Sequence, residues 1–284
     1  MCCACLSQRI NDRYRKRCIN KMGYDIERIR AKKGFICDMD GVIYHGNQLL
    51  PESAKFVKWL QRENKRFLFL TNSSERSRLE LRQKLCRMGL DVEESHFYTS
   101  ALATADFIKS QKPGASVYCI GEAGLHNALY EAGISMNDVN PDYVVVGETQ
   151  NYNYQSIAKA VKLVLSGAKL IGTNPDLTGP VENGDIAPAC RALTAPVELS
   201  TGKTAYFLGK PNPLMMRTGI KLLGCEIEDV AIVGDRMDTD IIAGIESGAD
   251  TVLVLTGVSN VDNIKKFPYQ PGIIVENVGK IAED

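Results

Sequence analysis

The chain has 284 residues and 44% apolar side chains, enough for one large domain or for a core with a second, smaller one. Lysine plus arginine equals aspartate plus glutamate, and this zero formal net charge gives no global argument for a nucleic-acid polymer or an anionic membrane as partner. No apolar run approaches the roughly 20 residues of a membrane helix. The nine cysteines, odd in number and scattered, fit reduced thiols in the cytoplasm better than a disulfide frame.

Residues 1–33 stand apart from the rest. They hold Cys2, Cys3, Cys5 and Cys18 among many arginines and lysines, without the apolar segment of a secretory signal. Three readings compete for this stretch. It is a poorly ordered extension upstream of a true start at Met22, a basic helix packed on the body, or an acylated membrane attachment.

From residue 34 on, strand-like runs recur at 34–37, 67–70, 116–120, 143–146, 169–172, 206–208, 230–233 and 251–255. Each is short, apolar and rich in β-branched or aromatic residues. Helical periodicity fills 53–63, 76–88 and 154–166, and Gly89, Gly133, Gly167, Gly224 and Gly248 follow helical runs as C-terminal glycines. Such alternation predicts an α/β fold with a parallel sheet covered by helices. The chemistry-bearing residues fall before about 75 and after about 205. The expected organisation is therefore an extension at 1–33, a core at 34–111, an inserted α/β domain at 112–203, and the rest of the core at 204–284.

Four stretches carry the chemistry, each where a strand ends, the edge at which open α/β sheets bind ligands. In Phe35-Ile36-Cys37-Asp38-Met39-Asp40-Gly41, two carboxylates at i and i+2 of an extended chain share a face and repel. Asp38 suits a nucleophile toward phosphorus, and Asp40 an acid/base beside it. Thr71 ends the second run and precedes a helix, where its hydroxyl and nearby N–H groups suit a phosphoryl oxygen. Lys210, in Leu208-Gly209-Lys210-Pro211, suits neutralisation of nucleophile and phosphate. In Val233-Gly234-Asp235-Arg236-Met237-Asp238-Thr239-Asp240, Asp235 suits a Mg²⁺ ligand, Asp240 an orienting role behind it, and Asp238 faces solvent.

Each stretch has a plainer reading: a surface acid pair, a helix cap, a surface lysine, and acids favouring a helix dipole. Taken together they fit one phosphoryl-transfer site, with the side chains of Asp38, Thr71, Lys210 and Asp235 expected within a few ångströms of a common centre. Charge argues for Mg²⁺ held by Asp38, the Asp40 carbonyl and Asp235, with phosphate and water completing its six oxygens.

This arrangement resembles the haloacid dehalogenase superfamily of phosphatases. Phe97-Tyr98-Thr99-Ser100-Ala101-Leu102-Ala103-Thr104-Ala105-Asp106, the stretch from Asp138 through Gly147-Glu148-Thr149, and Gly172-Thr173-Asn174-Pro175-Asp176 resemble its NagD-type nucleotide phosphatases. The resemblance runs from about Phe35 to near the C-terminus. It implies a Rossmann-like parallel-sheet core with an inserted α/β cap, and Mg²⁺-dependent hydrolysis of small phosphomonoesters. Nucleoside monophosphates such as UMP are the best substrate class.

The resemblance assigns Asp38 as nucleophile, Asp40 as acid/base and phosphate contact, Thr71, Asn72 and Lys210 as phosphate-holding, and Asp38, Asp40 and Asp235 as metal ligands. Asn174 and Asp176 are expected to contact substrate from the cap, with a structural Asn-Pro-Asp turn as the equal alternative. Tyr152 and Tyr154 are read as packing or surface residues rather than base-stacking ones, His45 as a plain loop residue, and Cys37 as core.

The alternatives of the same fold are sugar-phosphate, phosphoglycolate and pyridoxal-phosphate phosphatases. Of a different class are a phospho-accepting signalling module and a nucleotide-binding protein without turnover. Gly202-Lys203-Thr204 is not a P-loop, because position 197 is Val rather than the required Gly. No G-x-G-x-x-G follows the first strand. The expected partner is a small phosphorylated metabolite, with no transmembrane segment and the oligomeric state left open.

Overall fold

The computed structural model describes residues 25–180 and 185–282. The sequence readings for the cysteines at positions 2, 3, 5 and 18 and for a start at Met22 lie outside the described residues. In chain order the strands are β1 (Gly34–Cys37), β2 (Tyr44–His45), β3 (Gln48–Leu49), β4 (Arg66–Thr71), β5 (Phe97–Thr99), β6 (Ser116–Ile120), β7 (Ser135–Met136) and β8 (Tyr143–Val146). They continue with β9 (Lys169–Gly172), β10 (Thr178–Pro180), β11 (Ile186–Pro188), β12 (Tyr206–Phe207), β13 (Val230–Gly234), β14 (Asp250–Val254) and β15 (Ile273–Val275). The chain divides into two compact units, one comprising residues up to Leu68 with those from Ile220 onward, the other Phe69–Gly219.

In the first unit, β15, β14, β13 and β1 lie side by side in that order, all parallel. Every residue of β1, β13 and β14 is buried, as continuous apolar runs in a parallel sheet require. The helix Ser53–Arg62 buries Phe56, Val57, Trp59 and Leu60. Phe35 meets the Trp59 ring edge-on at 5.5 Å between centroids, which anchors β1 to this helix. At the start of the described chain, the helix Ile26–Arg30 buries Ile29 completely. Arg28 and Lys32 both bind Asp250 at the start of β14, at 2.7 and 2.8 Å.

The second unit carries a five-stranded parallel sheet in the order β12-β9-β8-β6-β7. β12 pairs with β9, so this sheet runs past residue 203. One face is closed by Leu125, Leu129, Val145 and their neighbours, the other by Val144, Val146, Leu163 and Val197. The same unit pairs the end of β4 with β5, matching Thr71 to Thr99. Helix Arg78–Arg87 opens on a reciprocal capping box between Ser77 and Glu80. The helix Cys190–Thr201 contains Pro196, whose missing N–H hides the helical pattern from a sequence reading.

Candidate active site

In the first unit, β1 and β13 run parallel with Cys37 opposite Val233. The residues that follow each strand therefore emerge at the same edge of the sheet. The Asp38 N–H donates to Val233 O at 2.9 Å, fixing the chain at that point. Asp38, Asp235 and Asp240 each bring a carboxylate oxygen within 4.8 Å of the other two. Asp235 and Asp240 are buried, while Asp38 is partly exposed.

Backbone shape sets this convergence. Residues 237–241 form a single π-helical turn, with the Arg236 N–H donating to Asp240 Oδ2 at 3.2 Å. A Cβ at Gly234 would lie 2.2 Å from the Asp240 Cβ, so only glycine lets Asp240 approach β13. Asp240 thus brings a carboxylate oxygen into the same cluster as Asp38 and Asp235. Asp238 is mostly exposed and pairs with Arg236, as expected. Burial raises the Asp238 carboxyl, but Arg236 outweighs it and holds the group below the usual carboxylate range.

β1 ends at Cys37, before Asp38 and Asp40, so the strand argument for a shared face does not apply to them. Asp40, with 41% of its side chain exposed, lies 3.3 Å from His45 Nδ1. His45 is the end of β2 rather than a plain loop residue, and the β2–β3 pair presents it to Asp40. Cys37 is fully buried, as the sequence indicated.

A loop that the sequence reading passed over supports Asp235. The Val258 N–H donates to Asp235 Oδ2 at 2.7 Å, and the Thr256 hydroxyl donates to Gly41 O at 2.6 Å. The Ser259 N–H donates to Asp235 O, and its hydroxyl accepts from Met237 N. The available signal was Thr256-Gly257-Val258-Ser259 directly after an apolar strand, the same kind of strand-end position as the other motifs.

The second unit holds the remaining candidates. Thr71 is buried, and its hydroxyl accepts from the Ser73 N–H at 3.2 Å. Lys210 is only 3% exposed, and its ammonium donates to Leu70 O at 3.1 Å. Asn72 clamps the backbone of Lys210: Asn72 Oδ1 accepts from the Lys210 N–H at 2.7 Å, and Asn72 Nδ2 donates to Lys210 O at 3.1 Å. Gly209 permits this, since a Cβ there would lie 2.7 Å from Asn72 Oδ1.

Asn174 is fully buried. Its amide donates to Asn72 O at 2.7 Å and to Glu148, and its Oδ1 accepts from the Asp176 N–H, which is the Asn-Pro-Asp turn. Asp176 is partly exposed and accepts from Asn72 Nδ2 at 2.9 Å. Glu148 accepts from the Ser74 N–H at 3.1 Å, and from the Ser74 hydroxyl. Burial pushes the Glu148 carboxyl above its ordinary range against these hydrogen bonds, and pushes the nearby Cys190 thiol up to about 12. Tyr152 packs with Leu193 and its neighbours and donates to Leu193 O, while Tyr154 is exposed, so both are packing or surface residues.

The cluster of Asp38, Asp235 and Asp240 suits a hard cation. All its donors are carboxylate oxygens. Each pair of charges under 4.8 Å apart repels. That repulsion is at least about 3.5 kcal/mol at an effective dielectric near 20, and a divalent ion reverses its sign.

Comparison with known proteins agrees in sequence and fold. Residues 35–135 match the family described as haloacid dehalogenase-like hydrolase, and residues 207–281 match the HAD-hydrolase-like family. The chain is 41% identical to the ribonucleotide monophosphatase NagD of Escherichia coli K12, over 88% of this chain and 98% of that one. The solved NagD structure superposes with a TM-score of 0.82. The dihydroxyacetone phosphatase of Corynebacterium glutamicum is 40% identical over 88% of this chain and 90% of its own. The acid sugar phosphatase of Staphylococcus aureus is 41% identical over 86% and 94%.

Proposed function

Because the chain belongs to the haloacid dehalogenase-like hydrolases, as a NagD-type phosphatase, we propose that it hydrolyses small phosphomonoesters through an aspartyl-phosphate on Asp38. The observation that carries this reading is the gathering of Asp38, Asp235 and Asp240 at the edge of β1 and β13. We take Mg²⁺ as the ion, held by Asp38, the Asp40 carbonyl and Asp235, with Asp240 beside them. Bound there, the ion supplies positive charge that shields the phosphate dianion from its carboxylate attacker.

In the first step an Asp38 oxygen bonds to phosphorus and the bond from phosphorus to the leaving alcohol breaks. Asp40 gives its proton to the departing oxygen. In the second step water attacks the phosphorus of the acyl phosphate, Asp40 takes the water's proton, and phosphate leaves Asp38 as a free carboxylate. The partial exposure of Asp40 suits a group that must exchange protons twice per turnover. Thr71, Asn72 and Lys210 are assigned to holding the phosphoryl group on the strength of the family pattern. Of the two cap candidates, Asp176 keeps an accessible carboxylate; the buried Asn174 acts through the Asn72 loop.

The proposed substrate class is the nucleoside monophosphates, with UMP as representative. Sugar and triose phosphates form the second reading, which draws on the printed names of the Staphylococcus and Corynebacterium relatives. A screen with Mg²⁺ over UMP, GMP, hexose phosphates, dihydroxyacetone phosphate, phosphoglycolate and pyridoxal phosphate decides between them. The proposal holds if nucleotides give the highest kcat/KM, and fails if a sugar or triose phosphate exceeds them tenfold. Among the described residues no helix is long and apolar enough to cross a membrane. A cytoplasmic location is part of the proposal, and sedimentation of the purified chain reads its oligomeric state.

A further inference from the structure

Glu148 lies two residues past β8, in Val144-Val145-Val146-Gly147-Glu148, an acid after a strand and a glycine as Asp235 is, yet the reaction described above gives it no part. Its two carboxylate oxygens have different partners. Oε2 accepts from the Ser74 N–H and hydroxyl, and Oε1 accepts from the Asn174 amide. Ser74 and Asn174 are both fully buried, and the Thr173 hydroxyl donates to Ser74 Oγ at 3.2 Å. A carboxylate with three donors in a partly buried pocket is strongly oriented, because charge-assisted hydrogen bonds are roughly twice as strong as neutral ones.

The two residues that Glu148 holds flank Asn72. Ser74 lies two positions after it, and the Asn174 Nδ2 that binds Glu148 also donates to Asn72 O. Asn72 in turn grips the N–H and the carbonyl of Lys210. We propose that Glu148 is a positioning residue that acts through Ser74 and Asn174 to fix Asn72, and through Asn72 the placement of Lys210. This rests on the reading of Asn72 and Lys210 as phosphate-holding residues. Glutamine at 148 keeps the shape but leaves one acceptor oxygen for three donors, and turns an NH₂ toward another donor. Aspartate is one methylene too short to span Ser74 and Asn174.

The test uses the full chain with p-nitrophenyl phosphate as substrate and inorganic phosphate as competitive inhibitor. Glu148→Gln is expected to lower kcat/KM and to weaken phosphate inhibition together, each by about 10- to 100-fold, the usual effect of removing a support behind a site. The metal concentration for half-activation stays within twofold. In an Asn72→Ala background the same substitution adds less than twofold, since its route of action is already cut.

Unchanged phosphate inhibition in Glu148→Gln, or an equal loss in both backgrounds, overturns the positioning role. If Asn72→Ala by itself leaves phosphate inhibition unchanged, the phosphate-holding reading has failed, and this proposal falls with it. Should Glu148→Gln fail to fold, Ser74→Ala carries the test. It removes one of the three donors: weakened phosphate inhibition supports the proposal, and none overturns it.

Discussion

The Val258 N–H donates to Asp235 Oδ2 at 2.7 Å. The residue before it leaves no room for a side chain, because a Cβ on Gly257 would lie 2.0 Å from the same oxygen. The loop after β14 is therefore built against the carboxylate proposed to bind metal. Gly257→Ala should displace Asp235 and raise the Mg²⁺ concentration for half-activation by about tenfold or more. Thermal unfolding of the variant with and without Mg²⁺ provides a second readout, since loss of metal binding removes the ion's stabilisation. Normal metal activation in Gly257→Ala would show that this contact does not set the site.

Asp38→Asn removes the attacking carboxylate oxygen, and activity should fall by at least about 1,000-fold. Asp40→Asn leaves the nucleophile but removes the proton donor, with an expected loss of roughly 100- to 10,000-fold. The loss in Asp40→Asn should be smaller for p-nitrophenyl phosphate, whose leaving group needs little protonation, than for an alkyl phosphate. Equal losses on both substrates would place Asp40 outside the acid role.

Chelation with EDTA should abolish turnover, and Mg²⁺ should restore it. Asp240→Asn keeps the shape of the cluster but drops one of its three charges, so it should weaken metal activation by about 10- to 100-fold with a smaller change in KM. A change confined to KM for substrate would put Asp240 on the wrong side of the site.

Asp250 binds Arg28 and Lys32 at the start of β14. Burial raises its carboxyl, but the two cations outweigh it and hold the group below the usual carboxylate range. A depressed carboxyl stabilises the fold above its unfolded value and loses that contribution as pH falls through the lower folded value. The contribution is thus constant from pH 5 to 8. Asp250→Asn leaves the buried Lys32 without this anion and should cost about 3 kcal/mol, after a discount for the half-exposed Arg28. The gap in unfolding free energy between the two proteins should be flat from pH 5 to 8 and close as pH falls below the usual carboxylate range. A gap that widens on acidification would contradict the linkage.

The strands were legible because buried parallel strands announce themselves as unbroken apolar runs. β1, β6, β8 and β9 have the predicted ends, and Gly89, Gly133, Gly167, Gly224 and Gly248 all adopt positive φ. β5 and β15, three residues each, are too short to show a period. The helix Cys190–Thr201 was hidden by Pro196. At the site, Asp38 and Asp235 were readable because each acid ends an apolar run. The nearness of Asp240 was not, since it depends on a π-helical turn and on the missing Cβ of Gly234. Nor was the contact of His45 with Asp40, which a two-residue antiparallel pairing creates. For Asn174 the sequence leaves a substrate contact and a structural turn equally open; in the structure it is buried, its amide donates to Asn72 and Glu148, and its Oδ1 closes the turn.

The nucleophilic role of Asp38 can be read covalently. Acid quench of the enzyme during turnover, borohydride reduction and peptide mass analysis convert an aspartyl-phosphate into homoserine at the residue that carried it. The account predicts homoserine at position 38 only, dependent on substrate and on Mg²⁺, and absent from Asp38→Asn. Homoserine at another aspartate, or full turnover by Asp38→Asn, would contradict it.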